Sequence, residues 1–259
     1  MYLAKSIAAS GLRNQQLRID TIANNVANTN TTAYKNARLD FKDSLYTVGI
    51  TPGPARSPDN NQQKGHGLMA NAVTRDFKPG NLERTERMLD FAIEGEGFFA
   101  LANFNGDRVY TRNGSFHLSA EADGTFLVNG NGLYVLDEND ARIPIPFGTD
   151  TIEVGADGFL RFTNNTNFVG SARLGIFTFR NLKGLESSGD GTYSETPASG
   201  EVIQANDTVT VRQGMLEGSN TNLAEEMTRL IRTQRAFQLA SRALTTADEM
   251  QGIANNMRR

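Results

Sequence analysis

The glycines of Gly95–Gly97 have the type and spacing that a phosphate-binding loop uses. A dinucleotide-binding loop carries a third glycine three residues later and opens a helix. Here Ala100 stands at that position, and no helix-length hydrophobic period follows it. The two glycines are therefore interpreted as residues that let the backbone turn beside Phe98 and Phe99, and the sequence predicts no cofactor.

An acidic cluster and two histidines are the other groups with possible chemistry. Residues 137–140 begin with the spacing of a calcium loop, but an alanine stands at the fifth position and no glycine follows at the sixth. His66 and His117 are far apart and form no H-x-x-x-H pair. The chain has no cysteine, which removes thiolate ligands and a cysteine nucleophile. The sequence therefore predicts no catalytic residue, no metal site and no enzyme.

Charge is distributed unevenly along this 259-residue chain, whose net charge is −3. Residues 1–40 carry five basic and two acidic side chains, residues 222–259 carry six and four, and residues 41–221 carry 15 and 23. Nucleic-acid-binding proteins usually show a strongly basic stripe, so no nucleic-acid partner is predicted. No stretch approaches the roughly 18–20 consecutive apolar residues of a spanning helix, so no membrane insertion is predicted. Residues 1–16 also lack the unbroken apolar run of a cleaved secretory signal.

Both ends of the chain carry the hydrophobic period of a helix. In the N-terminal segment the period runs through Ala8, Leu12, Ile19, Ile22 and Val26. In the C-terminal segment the spacing alternates between four and three, through Leu223, Met227, Leu230, Gln234, Phe237, Ser241, Leu244 and Asp248. Such narrow seams are buried against another helix, so we expect a coiled-coil-like pair, either within one subunit alone or also against copies of itself. Asn222 followed by Glu225 resembles a capping box and predicts where the second helix begins.

The composition changes twice between these helices. Residues 41–80 hold four of the seven prolines and few large apolar residues, which indicates an extended linker or arm. Twelve of the 15 phenylalanines lie between Phe91 and Phe179, which predicts an aromatic core in the middle of the chain. Short apolar runs there alternate with turn pairs such as Asp123-Gly124 and Asp157-Gly158, which are typical of antiparallel hairpins.

The predicted fold class is α+β. Long N- and C-terminal helices would form the coiled-coil-like pair, and the centre would be a mainly antiparallel β domain of sandwich or barrel type. The predicted divisions are an N-terminal helical segment at 1–40, the linker or arm at 41–80, the β domain at 81–215 and a C-terminal helical segment at 216–259.

Several motifs resemble those of the bacterial flagellar rod and hook family of axial proteins, and the resemblance covers nearly the whole chain. The motifs are Ile22–Asn28 and Thr32–Lys35 near the N-terminus, Leu89–Phe99 and Tyr110–Phe116 in the body, and Ser219–Asn222 and Thr233–Phe237 near the C-terminus. The chain length and the segments Phe41–Tyr46 and Gly184–Glu186 favour the distal rod branch of this family over the proximal branch. Hook proteins are typically longer.

The resemblance implies a non-enzymatic subunit that polymerises into a helical tube, a drive shaft that transmits torque from motor to hook. It implies export by the flagellar type III apparatus, a place in the basal body outside the cytoplasm, and contacts with copies of itself, other rod proteins and the hook. The two helical segments would form the inner wall of the tube, and the arm would pack on neighbouring subunits. The residues expected at the helix-helix and assembly interfaces are Leu12, Ile19, Ile22, Asn25, Val26, Leu223, Met227, Leu230, Phe237 and Leu244.

Two positions depart from the family pattern. Ala33 stands where the signature usually has glycine, and Glu86-Arg87 replaces a more turn-like pair, which leaves the distal and proximal branches open. A different class of protein also remains as an alternative, namely an extracytoplasmic ligand-binding β domain on a helical oligomerisation stalk. That alternative predicts a discrete oligomer, whereas a helical tube never closes its interface.

Overall fold

The structure is a computed structural model that describes residues 2–44, 46–49, 62–65, 67–103, 106–165, 167–205 and 209–257. Within the arm predicted at 41–80, residues 45, 50–61 and 66 lie outside this description, and they include His66. Two compact units are present. The helix unit comprises Met1–Ala27, Ala37–Arg75 and Asn222–Arg259, and the β unit comprises Asn28–Asn36 and Asp76–Thr221.

The helix unit is built from two long helices and two pairs of strands. Helix α1 is Tyr2–Ala27 and helix α2 is Leu223–Asn256. The strands are β1 (Ala37–Asp43), β2 (Tyr46–Gly49), β3 (Gln62–Gly65) and β4 (Leu68–Arg75). Strand β1 pairs antiparallel with β4, β2 pairs antiparallel with β3, and α1 packs on β1 and β4. Strands β1 and β4 thus lie at the two ends of the predicted linker.

The two helices run antiparallel, because Lys5 of α1 forms an ion pair with Asp248 of α2 and Asn25 of α1 bonds to Glu226 of α2. Helix α2 begins where its cap predicts. The Asn222 side chain accepts hydrogen bonds from the backbone N–H groups of Ala224 and Glu225, at 3.1 and 3.3 Å. Within the described residues, neither helix is apolar enough over a sufficient length to cross a membrane.

The α+β class is confirmed, but the prediction of a coiled-coil-like pair is wrong. Leu223 and Met227 of the predicted seam are 41% and 49% exposed, whereas the buried side chains of α2 are the polar Glu226 and Thr233. The first turns of α2 are oriented by the Glu226 carboxylate, which bonds to Asn25, and this turns the first two seam residues towards solvent. A hydrophobic heptad seam does not hold the helices together at this end.

The β unit is antiparallel throughout its described strands. Its strands are β5 (Leu82–Arg84), β6 (Phe91–Glu94), β7 (Phe98–Ala102), β8 (Arg108–Thr111), β9 (Phe116–Glu121), β10 (Gly124–Asn129), β11 (Tyr134–Val135), β12 (Pro144–Ile145), β13 (Thr151–Val154), β14 (Phe159–Asn164), β15 (Asn167–Arg173), β16 (Ile176–Phe179), β17 (Glu186–Gly189), β18 (Thr192–Ser194), β19 (Val202–Gln204), β20 (Thr210–Gln213) and β21 (Met215–Glu217). A 3₁₀ helix at Leu182–Gly184 joins β16 to β17.

Most of these strands belong to one large sheet. Its main path is β12-β10-β11-β7-β8-β18-β17, with β16 paired to β7 and β19, and β9 paired to β10. A separate three-stranded sheet has the order β13-β14-β15, and two further pairs are β6 with β20 and β5 with β21. The predicted turn pair Asp123-Gly124 joins β9 to β10, and its glycine has φ = 141°.

The aromatic core lies on both faces of the central strand β7. Side chains alternate between the faces of a strand, so Phe99 and Leu101 enter one hydrophobic cluster while Phe98 and Ala100 enter another. All four are at most 2% exposed. This explains why residues 98–101 are an unbroken apolar run, since a strand buried on both faces has no solvent-facing positions for polar residues.

Candidate assembly site

The predicted interface residues of α1 lie mostly at or near the inside of the helix unit. Ile22 and Asn25 are buried, at 5% and 1% exposed, and Leu12, Ile19 and Val26 are half-buried. The predicted interface residues of α2 differ in exposure. Leu230, Phe237 and Leu244 are half-buried, whereas Leu223 and Met227 are exposed. Whether these residues form contacts between subunits stays a prediction.

Asn25 joins three elements of the helix unit. Its Oδ1 accepts a hydrogen bond from the N–H of Ala37 in β1, at 3.0 Å. Its Nδ2 donates to the carbonyl of Ala37 at 2.8 Å and to Glu226 Oε2 in α2 at 3.1 Å. The other Glu226 oxygen accepts from Arg229 at 2.7 Å. The sequence predicted Asn25 as an interface residue, and here it is a buried polar connector within one subunit.

A buried charge cluster in the β unit was missed by sequence reasoning. It consists of Lys35, Arg112 and Glu217, whose side chains are between 0% and 3% exposed. Lys35 Nζ donates to Glu217 Oε1 at 2.6 Å, and Arg112 Nε donates to Glu217 Oε2 at 2.7 Å. The N–H of Gly80 donates to Glu217 Oε1 at 2.7 Å. One carboxylate therefore ties together three segments that are distant in sequence.

The Gly95–Gly97 loop, whose glycines resembled a phosphate-binding loop, binds the guanidinium of Arg112. Arg112 Nη1 donates to the carbonyls of Gly95 at 2.9 Å and Gly97 at 2.6 Å, and Nη2 donates to the carbonyl of Ile93 at 3.3 Å. Gly95 has φ = 117°, a conformation that favours glycine. A Cβ on Gly97 would lie 2.9 Å from Ile176 Cγ2. The glycines are thus needed for a turn that presents carbonyl oxygens to a cation.

The electrostatics of the cluster favour ionised Glu217. Burial opposes its charged form and is the largest single influence, but Arg112, Lys35 and the Gly80 amide together outweigh it and lower the pKa of Glu217. Burial also lowers the pKa of Lys35, and the nearby Glu217 opposes that effect. Lys35 keeps a further acceptor, the carbonyl of Lys78, at 2.8 Å. Since every charge has a hydrogen-bonding partner, the cluster can persist in a core that excludes water.

The two positions that depart from the family pattern both have left-handed backbone. Ala33 has φ = 57° and Glu86 has φ = 61°. Ala33 is buried beside the charge cluster, and its N–H donates to the carbonyl of Glu217 at 2.7 Å. The turn there therefore keeps the backbone geometry that glycine would adopt without strain.

Candidate metal ligands remain dispersed in the part of the chain that the structure describes. No three His, Asp or Glu side chains in these ranges lie close enough together to hold a metal ion. Residues 137–140 form a turn in which Asp137 Oδ1 accepts from the N–H groups of Asn139 and Ala141, both at 2.8 Å. His117 lies on β9, with Nε2 3.3 Å from Arg87 Nη2. Asp137 therefore closes its own turn, and His117 contacts a nearby arginine; both contacts are local structural ones.

Comparisons with known proteins match the chain in three segments. The family described as "Flagella basal body rod protein" matches residues 6–35. The family described as "Flagellar hook protein FlgE/F/G D1 domain" matches residues 92–162, and "Flagellar basal body rod FlgEFG protein C-terminal" matches residues 212–257. Lys35, Arg112 and Glu217 each fall in a different one of these segments.

Similarity to curated proteins extends over almost the full length. The flagellar basal-body rod protein FlgG of Agrobacterium fabrum is 37% identical over 97% of this chain and 98% of the relative. FlgG of Borreliella burgdorferi is 35% identical over 97% of both chains. The chain belongs to the flagellar basal-body rod protein family. The flagellar hook-basal body complex protein FlhP of Bacillus subtilis is also similar, at 34% identity over 99% of this chain and 100% of the relative.

As a member of the flagellar basal-body rod protein family, the chain is a FlgG-like structural subunit of the flagellar rod. The same relatives place it in the flagellar basal body. The family resemblance stated from the motifs is confirmed. Family membership also implies assembly with other rod and hook components.

Proposed function

We propose that this subunit polymerises head to tail and side to side into a helical tube of the distal rod, which transmits torque from the motor to the hook and has no enzymatic role. Its partners would be copies of itself, other rod proteins and the hook. It would be exported by the flagellar type III apparatus without a cleaved signal and would function outside the cytoplasm.

The observation that carries this proposal is the exposed apolar face of α2. Leu223, Met227 and Ile231 follow one another at intervals of four and are 41%, 49% and 52% exposed, so they form one ridge on the helix. Further along, on another side of the helix, Leu239, Met250 and Ile253 are 65%, 58% and 59% exposed. The ridge of three exposed apolar residues favours contact with another protein surface, because leaving it in water is unfavourable. In a rod subunit, we propose that the surface covering this ridge belongs to neighbouring subunits.

Sedimentation of the full chain at rising concentration tests this proposal. A variant with Met227→Glu and Ile231→Glu places two charges on the ridge, and a variant with Met227→Leu and Ile231→Leu keeps it apolar. We expect the wild type and the leucine variant to form large assemblies without a fixed size. The glutamate variant should need at least about tenfold more protein, since each buried Met or Ile contributes about 1.5–3 kcal/mol to a contact.

Circular dichroism should show that both variants keep their helices. A wild-type chain that stops at a fixed small oligomer would overturn the proposed open-ended polymerisation. Equal assembly of the glutamate and leucine variants would show that this ridge is not the contact.

A further inference from the structure

The C-terminal end of α2 carries a second exposed apolar ridge. Met250, Ile253 and Met257 are 58%, 59% and 78% exposed, and they follow one another at intervals of three and four. Residues at this spacing lie on one face of a helix. No charged residue occurs between positions 250 and 257. Because large apolar side chains are unfavourable in water, this second ridge also favours contact with a protein surface.

The two ridges of α2 match in length and lie at opposite ends of the helix. The first ridge is Leu223, Met227 and Ile231, and it begins at the first residue of α2. Ile253 comes 26 residues after Met227, and Met257 comes 26 residues after Ile231. At 1.5 Å per residue, the two ridges are roughly 39 Å apart along the helix axis. Neither ridge can therefore cover the other within one molecule.

The helix unit offers the second ridge as the matching apolar surface for the first. The remaining exposed large apolar side chains among its described residues are Leu17, Leu239, Met69 and Val73. Met69 and Val73 pair with Lys42 and Leu39 of β1. Since Lys42 and Leu39 are three residues apart on a strand, Met69 and Val73 lie on opposite faces of the β1–β4 pair. These side chains are therefore scattered, whereas each ridge of α2 is a row.

We infer that the second ridge of one subunit packs against the first ridge of a second copy of this chain. With the two α2 helices parallel and displaced by 26 residues, Ile253 faces Met227 and Met257 faces Ile231. Rows of side chains spaced by three and four are the surfaces that interdigitate when helices pack, and the flexible methionines adapt to such a contact.

This contact is heterologous, because it joins opposite ends of α2, and it leaves a free ridge at each end of a chain of subunits. A single kind of contact then covers both ridges of every subunit inside the polymer. The inference rests on the proposed polymerisation and names the surface that covers the first ridge.

Cross-linking of the full chain tests the pairing without changing a residue of either ridge. The test variant carries Ala224→Cys and Glu249→Cys, both at exposed positions. Each lies about 60–70° from the centre of its ridge, in opposite senses, so two parallel helices bring them to the same side of the contact. The displacement of 26 residues places Glu249 of one copy level with Leu223 of the next, beside Ala224.

The control variant carries Ala224→Cys and Gln238→Cys. Gln238 is also exposed, but it comes 11 residues before Glu249 and therefore lies roughly 16 Å away along the helix. The chain has no native cysteine, so a bismaleimide with a two-carbon spacer joins only introduced cysteines. Within one molecule the two cysteines are roughly 38 Å apart in the test variant and roughly 21 Å apart in the control, too far for this linker to bridge.

Both variants are treated at a concentration at which the cysteine-free parent sediments, and the products are separated on a denaturing gel. We expect the test variant to give a ladder of dimers, trimers and longer species. An equal mixture of the single variants Ala224→Cys and Glu249→Cys should give dimers and no longer ladder, because each molecule then has one reactive end.

A test variant that gives no more ladder than the control variant overturns the inference. Sedimentation of the parent is scored separately. A parent that assembles while the test variant forms no ladder refutes this contact and leaves the proposed function standing, whereas a parent that never assembles refutes both.

Discussion

Glu217 shows how one side chain can connect segments that the sequence keeps far apart. Lys35 is 182 residues away and Arg112 is 105 residues away, yet each bonds to a different oxygen of this carboxylate. In the buried interior these bonds replace the hydration that all three charges lose. Removing one partner leaves the others as uncompensated buried charges.

We therefore expect Glu217→Gln to lower the free energy of unfolding by about 3–5 kcal/mol, because it leaves Lys35 and Arg112 without their counter-charge. Urea titration followed by the near-ultraviolet circular dichroism of buried Tyr110 and Tyr193 measures the change in the β unit. Glu94→Gln is the matched control. Glu94 is paired with Arg212 at 2.9 Å, but both side chains are more than half exposed, so its loss should change the free energy of unfolding far less than the loss of Glu217 does. Equal losses for the two variants would contradict a structural role for the buried cluster.

Backbone conformation gives a second prediction for a single residue. Glu86 has φ = 61° and a largely exposed side chain, so replacing it by glycine removes strain and little else. We expect Glu86→Gly to raise the free energy of unfolding by about 1 kcal/mol. Glu83→Gly, in the exposed strand β5, should lower it by about 0.5–1 kcal/mol, since glycine weakens a strand. Thermal unfolding shows whether each substitution raises or lowers the free energy of unfolding. If Glu86→Gly is destabilising, the glutamate side chain contributes more to stability than the relief of its backbone strain does.

Polar contacts determine which side of α2 faces α1, and the hydrophobic pattern of the sequence does not reveal these contacts. The sequence predicts the helical period of α2, and Leu230, Phe237 and Leu244 are half-buried, but the first seam residues, Leu223 and Met227, face solvent. Glu226 takes the inward position because Asn25 and Arg229 satisfy its carboxylate there. A pattern of apolar residues cannot indicate that a buried glutamate has partners on another helix.

Asn25→Asp tests this polar connection. The change removes the donor to Glu226 and to the carbonyl of Ala37, and it places a second carboxylate beside Glu226. We expect a loss of about 3 kcal/mol in the stability of the helix unit, since a buried charge loses its hydrogen bonds and meets a like charge. Hydrogen exchange of the amides in α1 and the first turns of α2 measures this loss.

Ala23→Asp introduces the same charge two residues earlier, at an exposed position, and should lower the stability measured by exchange by less than about 1 kcal/mol. If the two variants exchange alike, the connection through Asn25 does not stabilise the helices.

The two units of the whole molecule bury very different amounts of their apolar side chains. In the β unit Phe99, Leu101 and Tyr110 are 0% exposed, whereas along α2 Leu239, Met250 and Ile253 are each more than half exposed. Local stability follows the number of buried apolar contacts, so the two units should open with different free energies.

Hydrogen exchange of the unassembled subunit measures that difference. We expect the amides of β7 and β8 to exchange most slowly and those of α2 after residue 240 to exchange much faster. Assembly should slow the α2 amides if their apolar face becomes covered. Uniform protection of α2 and β7 in the unassembled chain would contradict the division into a stable β unit and a less stable helix.

The sequence alone determined the features that depend on local patterns. Two terminal helices, an antiparallel aromatic middle and the cap at Asn222 follow from periodicity, turn pairs and short-range hydrogen bonding, which act over a few residues. The motifs also identified the family. Only the tertiary structure decided which face of α2 is buried and which residues Arg112 and Glu217 contact. Those choices depend on partners up to 182 residues away, and the energy of a buried charge is set by these partners and not by its neighbours in the chain.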